Sequence, residues 1–314
     1  MKNLLTFEEK KMKRFYQTHL AAVCFAVVFV LGFSGTAMSF GHYTPGALGI
    51  NGASLPPQGF HYTMYNMFYS ADKMNDDKGD ALPIGFDVNV FAIANQFTFI
   101  SDSKLFGADL GFDFIIPLVY TDISIDAMGV DEDHFAIGDI CLEPFLLAWH
   151  TPRWDVTFAL GFYAPTADSN EPSSAGKGYW SFMETLGATY YFDEARTITF
   201  SVLTRWLQNT EDADTHITPG ADVVAEYGLS KTLPIDKTSI FTAGLAGYSY
   251  GQLSDDSGAG ASDDRFIGNA IGPEIRYMVF KPFPIQISAR YLFEYGVENS
   301  TEGDNACLTL IGSF

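Results

Sequence analysis

The chain has 314 residues, of which 18% are charged and 15% aromatic, with a formal net charge of −20. That acidity excludes nucleic acid as a partner, because neutralising phosphates needs a surplus of Lys and Arg. Residues of hydrophobic type make up 47% of the chain, yet beyond the N-terminal region no stretch approaches the ~18 consecutive apolar residues of a spanning helix, which leaves two soluble domains or one large β-barrel.

Lys10, Lys11, Lys13 and Arg14 form a basic region ahead of the apolar run at 20–33, and Ala37-Met38-Ser39 offers small residues for cleavage. Residues 1–39 are therefore expected to be a signal peptide, with Met12 as a second candidate start because Glu8 and Glu9 are out of place at the start of a leader. A lipoprotein reading of Leu20 to Cys24 fails, since Val23 is bulky and the apolar run follows the Cys. Cleavage leaves only Cys141 and Cys307, which fall on well-separated strands and are not expected to bridge. No CxxC or HExxH spacing occurs, so neither metal nor cofactor is expected.

Residues 40–58, including Gly41 to Gly46 and Pro56-Pro57, are too rich in Gly and Pro for a long strand or helix. They read either as a periplasmic tail or as a segment folded into the lumen, a candidate plug. Residues 59–314 then carry about twelve strand-like segments, at 60–70, 84–94, 106–120, 135–149, 154–164, 179–192, 197–207, 221–229, 239–250, 266–279, 284–295 and 305–314. Each is near or above the 9–11 residues that cross a bilayer at a tilt.

The connections sort by length. After even-numbered strands they are mostly short, at 151–153, 193–196, 232–237 and 281–283; after odd-numbered strands they are long and acidic, at 72–80, 122–133, 167–177, 209–216, 253–264 and 298–304. Short periplasmic turns opposite long outer loops are the outer-membrane arrangement, and a soluble barrel has no reason to sort its loops this way. These acidic loops are read as solvated outer loops rather than cation sites, since Asp255-Asp256-Ser257-Gly258 lacks calcium-loop spacing.

Within strands the faces alternate. Ile285, Ile287, Tyr291 and Phe293 oppose Gln286, Ser288, Arg290 and Glu294, and the terminal set Ala306, Leu308, Leu310 and Phe314 opposes Asn305, Cys307, Thr309 and Ser313. Alternation alone does not say which face is inside. The leader, the aromatic excess and the sorted loops decide for lipid outside and water inside, so the fold class is an all-β, antiparallel transmembrane barrel of about 12 strands in the bacterial outer membrane. Its environment is outer-membrane lipid and lipopolysaccharide, and Phe314, as a terminal aromatic, marks the strand expected to meet the barrel-assembly machinery. Tyr69, Tyr120, Trp149, Trp154, Trp180 and Tyr250 are expected in the interfacial girdles.

Five motifs in order carry a family resemblance: Gly41-His42-Tyr43-Thr44-Pro45-Gly46 with Pro56-Pro57-Gln58-Gly59-Phe60; Gly138-Asp139-Ile140 with Glu143-Pro144 and Trp149; Tyr163-Ala164-Pro165-Thr166; Tyr248-Ser249-Tyr250-Gly251-Gln252 with Asp255-Asp256-Ser257-Gly258; and Gly272-Pro273-Glu274-Ile275. Together they resemble the outer-membrane family of meta-pathway phenol degradation proteins. The resemblance implies a barrel and, through the family's name, uptake of small hydrophobic or aromatic solutes.

In such a channel, charges on the lumen face set selectivity. By alternation these are Asp87, Asp109, Asp113, Asp139, Glu143, Arg205, Asp222, Glu226, Glu274, Arg276, Arg290 and Glu294, of which Glu274, Arg276, Arg290 and Glu294 lie on adjacent strands and are expected to pair across them. A closed structural or surface-interaction barrel is the alternative, its charges only satisfying one another. Catalysis is not expected: His42, His61, His134, His150 and His216 stand in no GxSxG context.

Overall fold

The computed structural model describes residues 41–314, so the expected signal peptide, both candidate starts and the rejected lipoprotein site lie outside the described residues. Its strands are β1 (Gly59–Met74), β2 (Phe86–Leu105), β3 (Ala108–Ile125), β4 (Val130–Ile137), β5 (Ile140–His150), β6 (Trp154–Ala164), β7 (Ser181–Tyr191), β8 (Ile198–Asn209), β9 (Asp222–Pro234), β10 (Ser239–Gln252), β11 (Ile267–Val279), β12 (Ile285–Glu298) and β13 (Thr301–Ser313). All neighbours are antiparallel, and β1 pairs with both β2 and β13, which closes the sheet on itself. Closure leaves no edge between first and last strands, and Phe60 and Phe314 exchange backbone hydrogen bonds of 2.8 and 3.2 Å across that seam.

The thirteen strands fill twelve places in the wall. β3 pairs with β5 from Asp109 to Ile115 and with β4 from Leu118 to Ile125, so β4 and β5 are two halves of one position. The uninterrupted strand expected at 135–149 is therefore broken at Gly138-Asp139. The cause lies on the neighbour: Pro117 has no N–H to continue the ladder, its carbonyl accepts the Gly138 N–H at 2.9 Å, and the chain is released there.

The alternation has the inverted sense. Ile285, Ile287, Tyr291 and Phe293 are each roughly 40% or more exposed, while Glu274, Arg290 and Glu294 are under 10%. An apolar outer band with aromatic rows surrounds a charged interior, as lipid requires. One such row runs Phe68, Phe91, Tyr120, Phe135 on four successive strands. Trp154 and Trp180 also face outward, but Tyr69 and Tyr250 do not join a girdle. Both point inward, and Tyr69 donates its hydroxyl hydrogen to Glu294 at 2.9 Å.

Three expected boundaries move. β2 runs on to Leu105, because Gln96, Thr98 and Ile100 keep facing inward and Phe97 and Phe99 outward, where they pack on Phe114 and Phe112. It ends in a two-residue turn at Phe106-Gly107, both with positive φ, the geometry that matches strand twist. The acidic stretches 122–133 and 298–304 are largely strand rather than loop: β3 and β4 form a hairpin that turns at Asp126–Met128, and only Asn299-Ser300 separates β12 from β13. Asp87 is likewise corrected: it is exposed on the outer face, with Phe86 and Val88 beside it pointing in.

Candidate functional site: the filled lumen

Residues 41–57 lie inside the barrel, and inward side chains of its wall take up their backbone groups. Glu226 on β9 accepts the N–H of Leu48 at 3.0 Å and of Gly49 at 3.3 Å, and the Tyr43 hydroxyl donates to the same carboxylate. Glu274 on β11 accepts the Ile50 N–H at 2.9 Å. Arg290 on β12 donates to the carbonyls of Gly46, at 2.6 Å, and Ala47. Arg276 donates to the Ile50 carbonyl at 2.6 Å, and Asn305 on β13 to that of Pro45 at 3.2 Å. Lower down, Ser201 and Thr157 bind the Ala53 N–H and carbonyl. A coiled segment without its own ladder can be buried only if its backbone groups are satisfied this way.

Period-two alternation brings the charges to this place, and eleven of the twelve residues it picks point inward. Glu274 sits between Arg276, at 2.9 Å, and Arg290, at 3.2 Å, and is buried to 1% exposure. Glu294 stands apart from that trio, accepting hydrogen bonds from the Tyr69 and Tyr248 hydroxyls and the Gly303 N–H. Arg205 lies 3.9 Å from Glu143, which is paired in register with Asp113, and stacks 4.3 Å above the Tyr43 ring. Asp222 takes a 3.4 Å contact from Asn209, and Asp109 holds Lys104 at 2.5 Å and Gln58 at 3.1 Å.

Asp139, freed by the break between β4 and β5, collects the outer loop 166–177 and the start of the inner segment. It accepts the N–H groups of Thr166, Ala167 and Lys177 and lies 2.9 Å from His42 Nε2. Burial depresses the His42 imidazole below its ordinary value, with Asp139 opposing. Burial likewise lowers the Lys177 ammonium to about 8, against the pull of Asp139 and Asp222.

One conformational requirement is sharp. Gly49 has φ of +64°, and a Cβ there would overlap the Glu274 carboxylate and the Arg290 guanidinium. Gly49→Ala is expected to loosen the seated segment by about 2–4 kcal/mol, from left-handed strain plus overpacking. The check is protease cleavage within 41–57 in folded, heat-modifiable barrels, which should rise well above wild type.

Two cavities flank the segment. The outer one, about 180 Å³, is bounded by residues 41–48 and by the inner faces of β1–β3, where Met67, Val88, Val90, Ala92 and Ala94 make it apolar. The inner one, about 270 Å³, lies toward the short-turn end and is more polar, with Asp113, Glu143, Arg276 and Gln286 among its walls. They share Leu48, Tyr65, Gln96 and Arg205. Charge-based reading of the sequence misses Tyr65, Gln96, Tyr43, Tyr248 and Ser201; their signal was position, since each sits on the same strand face or segment as the charges.

A family model described as "Putative MetA-pathway of phenol degradation" matches residues 71–310. The fold is similar to that of an outer membrane channel from Pseudomonas putida F1, with a TM-score of 0.70 and 15% identity over 87% of this chain and 100% of that one. The β domain of the Bordetella autotransporter BrkA is similar too, with a TM-score of 0.52 and 9% identity over 82% of this chain and 100% of that one. No curated protein sequence matches. At these identities the structural likeness shows the fold, a closed barrel of the bacterial outer membrane with its outer face in that membrane's lipid.

Proposed function

Since the chain belongs to the family described by that phenol-degradation model, we propose that it is an outer-membrane channel for small hydrophobic or aromatic solutes, without catalytic activity. One observation carries the reading: the apolar outer cavity and the more polar inner cavity meet at Leu48, Tyr65, Gln96 and Arg205, so the filled barrel retains a discontinuous path past these residues. A lumen lined by Met67, Val88, Val90 and Ala92 is unusual for a channel serving ions or sugars, which need polar walls to replace lost water. The alternative, a sealed structural or surface barrel, draws on the dense bonding of residues 41–57 to Glu226, Glu274 and Arg290.

Reconstitution in planar bilayers and uptake assays in a porin-deficient host separate the two. Channel function predicts small resolved currents and faster uptake of monocyclic aromatics than in cells lacking the protein. Silent bilayers together with unchanged uptake of every aromatic tried would leave only the sealed barrel.

A further inference from the structure

Building on the channel reading, we propose that solutes pass the N-terminal segment without displacing it, along the inner face of β1–β3, and that Tyr65, Gln96, Asp113 and Arg205 form the selectivity point on that route, taking neutral hydroxyl-bearing molecules.

The route follows from asymmetry in how the segment is held. From Tyr43 to Ser54 its polar bonds go to Thr157 on β6, Tyr191 on β7, and β8, β9, β11, β12 and β13. The β1–β3 face opposite offers mostly aliphatic side chains along the outer cavity, which lies on that side; the inner cavity joins it at Tyr65 and Gln96 and spreads across the bore beneath the segment. A solute moving there disturbs apolar contacts and leaves the bonds of Glu226, Glu274 and Arg290 to the segment in place. Lifting the segment instead would strip partners from Glu226, Glu274 and Arg290 together, each a buried charge that is costly to leave alone.

The selectivity point follows from unfilled valence. Where the cavities meet, Tyr65 donates to Gln96 Oε1 at 3.0 Å and Gln96 donates to Asp113 Oδ2 at 2.7 Å. Asp113 Oδ1 and the Nε and Nη1 atoms of Arg205 are buried there without hydrogen-bond partners. Buried polar atoms are normally paired, so one acceptor and two donors on residues lining the same cavity describe a ligand that both donates and accepts. A hydroxyl does both. A carboxylate ligand is disfavoured, because Asp113 and Glu143 flank the single guanidinium and already compete for it. The outer cavity, larger than the 150 Å³ engineered pocket known to hold benzene, accepts the molecule's apolar body.

The test locks the segment in place. A Cβ built at Gly228 falls 2.7 Å from Ile50 Cα and 3.2 Å from Ile50 Cβ, so the two positions come within bridging distance once the segment backs off by a few tenths of an ångström. Ile50→Cys with Gly228→Cys is made in full-length protein carrying Cys141→Ala and Cys307→Ala, and currents are recorded oxidised and reduced. The proposal expects equal currents in both states, and block by benzyl alcohol at about tenfold lower concentration than by benzoate. Arg205→Lys keeps the charge and loses the fork, and should erase that preference; Gln96→Leu serves if the Lys variant does not fold. Current lost on oxidation and restored on reduction would show that the segment must move, overturning the route while the channel reading stands. Equal block by alcohol and benzoate in the parent overturns the selectivity point. Silence of every form, parent included, defeats the channel reading itself.

Discussion

Deletion of residues 41–57, with the preceding residues kept, should convert a small or flickering current into a steady one larger on the order of tenfold, set by the bore of a twelve-position barrel. The physical reason is volume and charge together. The segment carries the buried side chains Tyr43, Ile50 and Ala53 and occupies the backbone-binding groups of β9, β11 and β12. Without it, Glu226, Glu274, Arg276 and Arg290 face a water column, and hydration replaces the lost carbonyl and amide partners at modest cost. The wall survives, because its ladders run strand to strand and closure between β1 and β13 begins beyond the deletion. A current unchanged by the deletion would mean that wall side chains alone seal the bore, and the sealed-barrel reading would gain.

How much of this was legible in the sequence depends on whether the determinant was local. Period-two alternation is local, and it placed Arg205, Glu226, Glu274 and Arg290 on one face and Ile285, Ile287 and Phe293 on the other. Membrane sense was not in the alternation; it came from the leader-like N-terminus and the sorted loops. The break at Gly138-Asp139 was not legible, because its cause is Pro117 on the neighbouring strand. Asp87 was misplaced for a different reason. Above the bilayer both faces of a strand meet water, so a carboxylate there no longer marks the lumen side. Tyr69 and Tyr250 misled because a tyrosine hydroxyl is served equally well by a membrane interface or by a buried acceptor, and for Tyr69 the acceptor is Glu294, on a strand 225 residues away.

The second large effect is expected at Glu274. It bridges two guanidiniums, and its Oε2 also holds the Ile50 N–H. Glu274→Gln keeps the volume but leaves Arg276 and Arg290 facing each other without an anion, and removing one partner of a buried pair costs about 3–5 kcal/mol. That cost need not unfold the protein, because the segment is the weaker element: it has no ladder of its own and can leave while the wall keeps every strand pairing. The expected result is an unchanged thermal transition of the heat-modifiable barrel, frequent long openings in bilayers, and new protease cleavage near Leu48. Glu274→Leu combined with Arg290→Met removes both charges at once, and should open less often than the two single losses added together, since coupled residues are not additive. If Glu274→Gln instead lowers the barrel transition itself and leaves the openings rare, then wall and segment melt as one unit, and the carboxylate serves the wall more than it seats the segment.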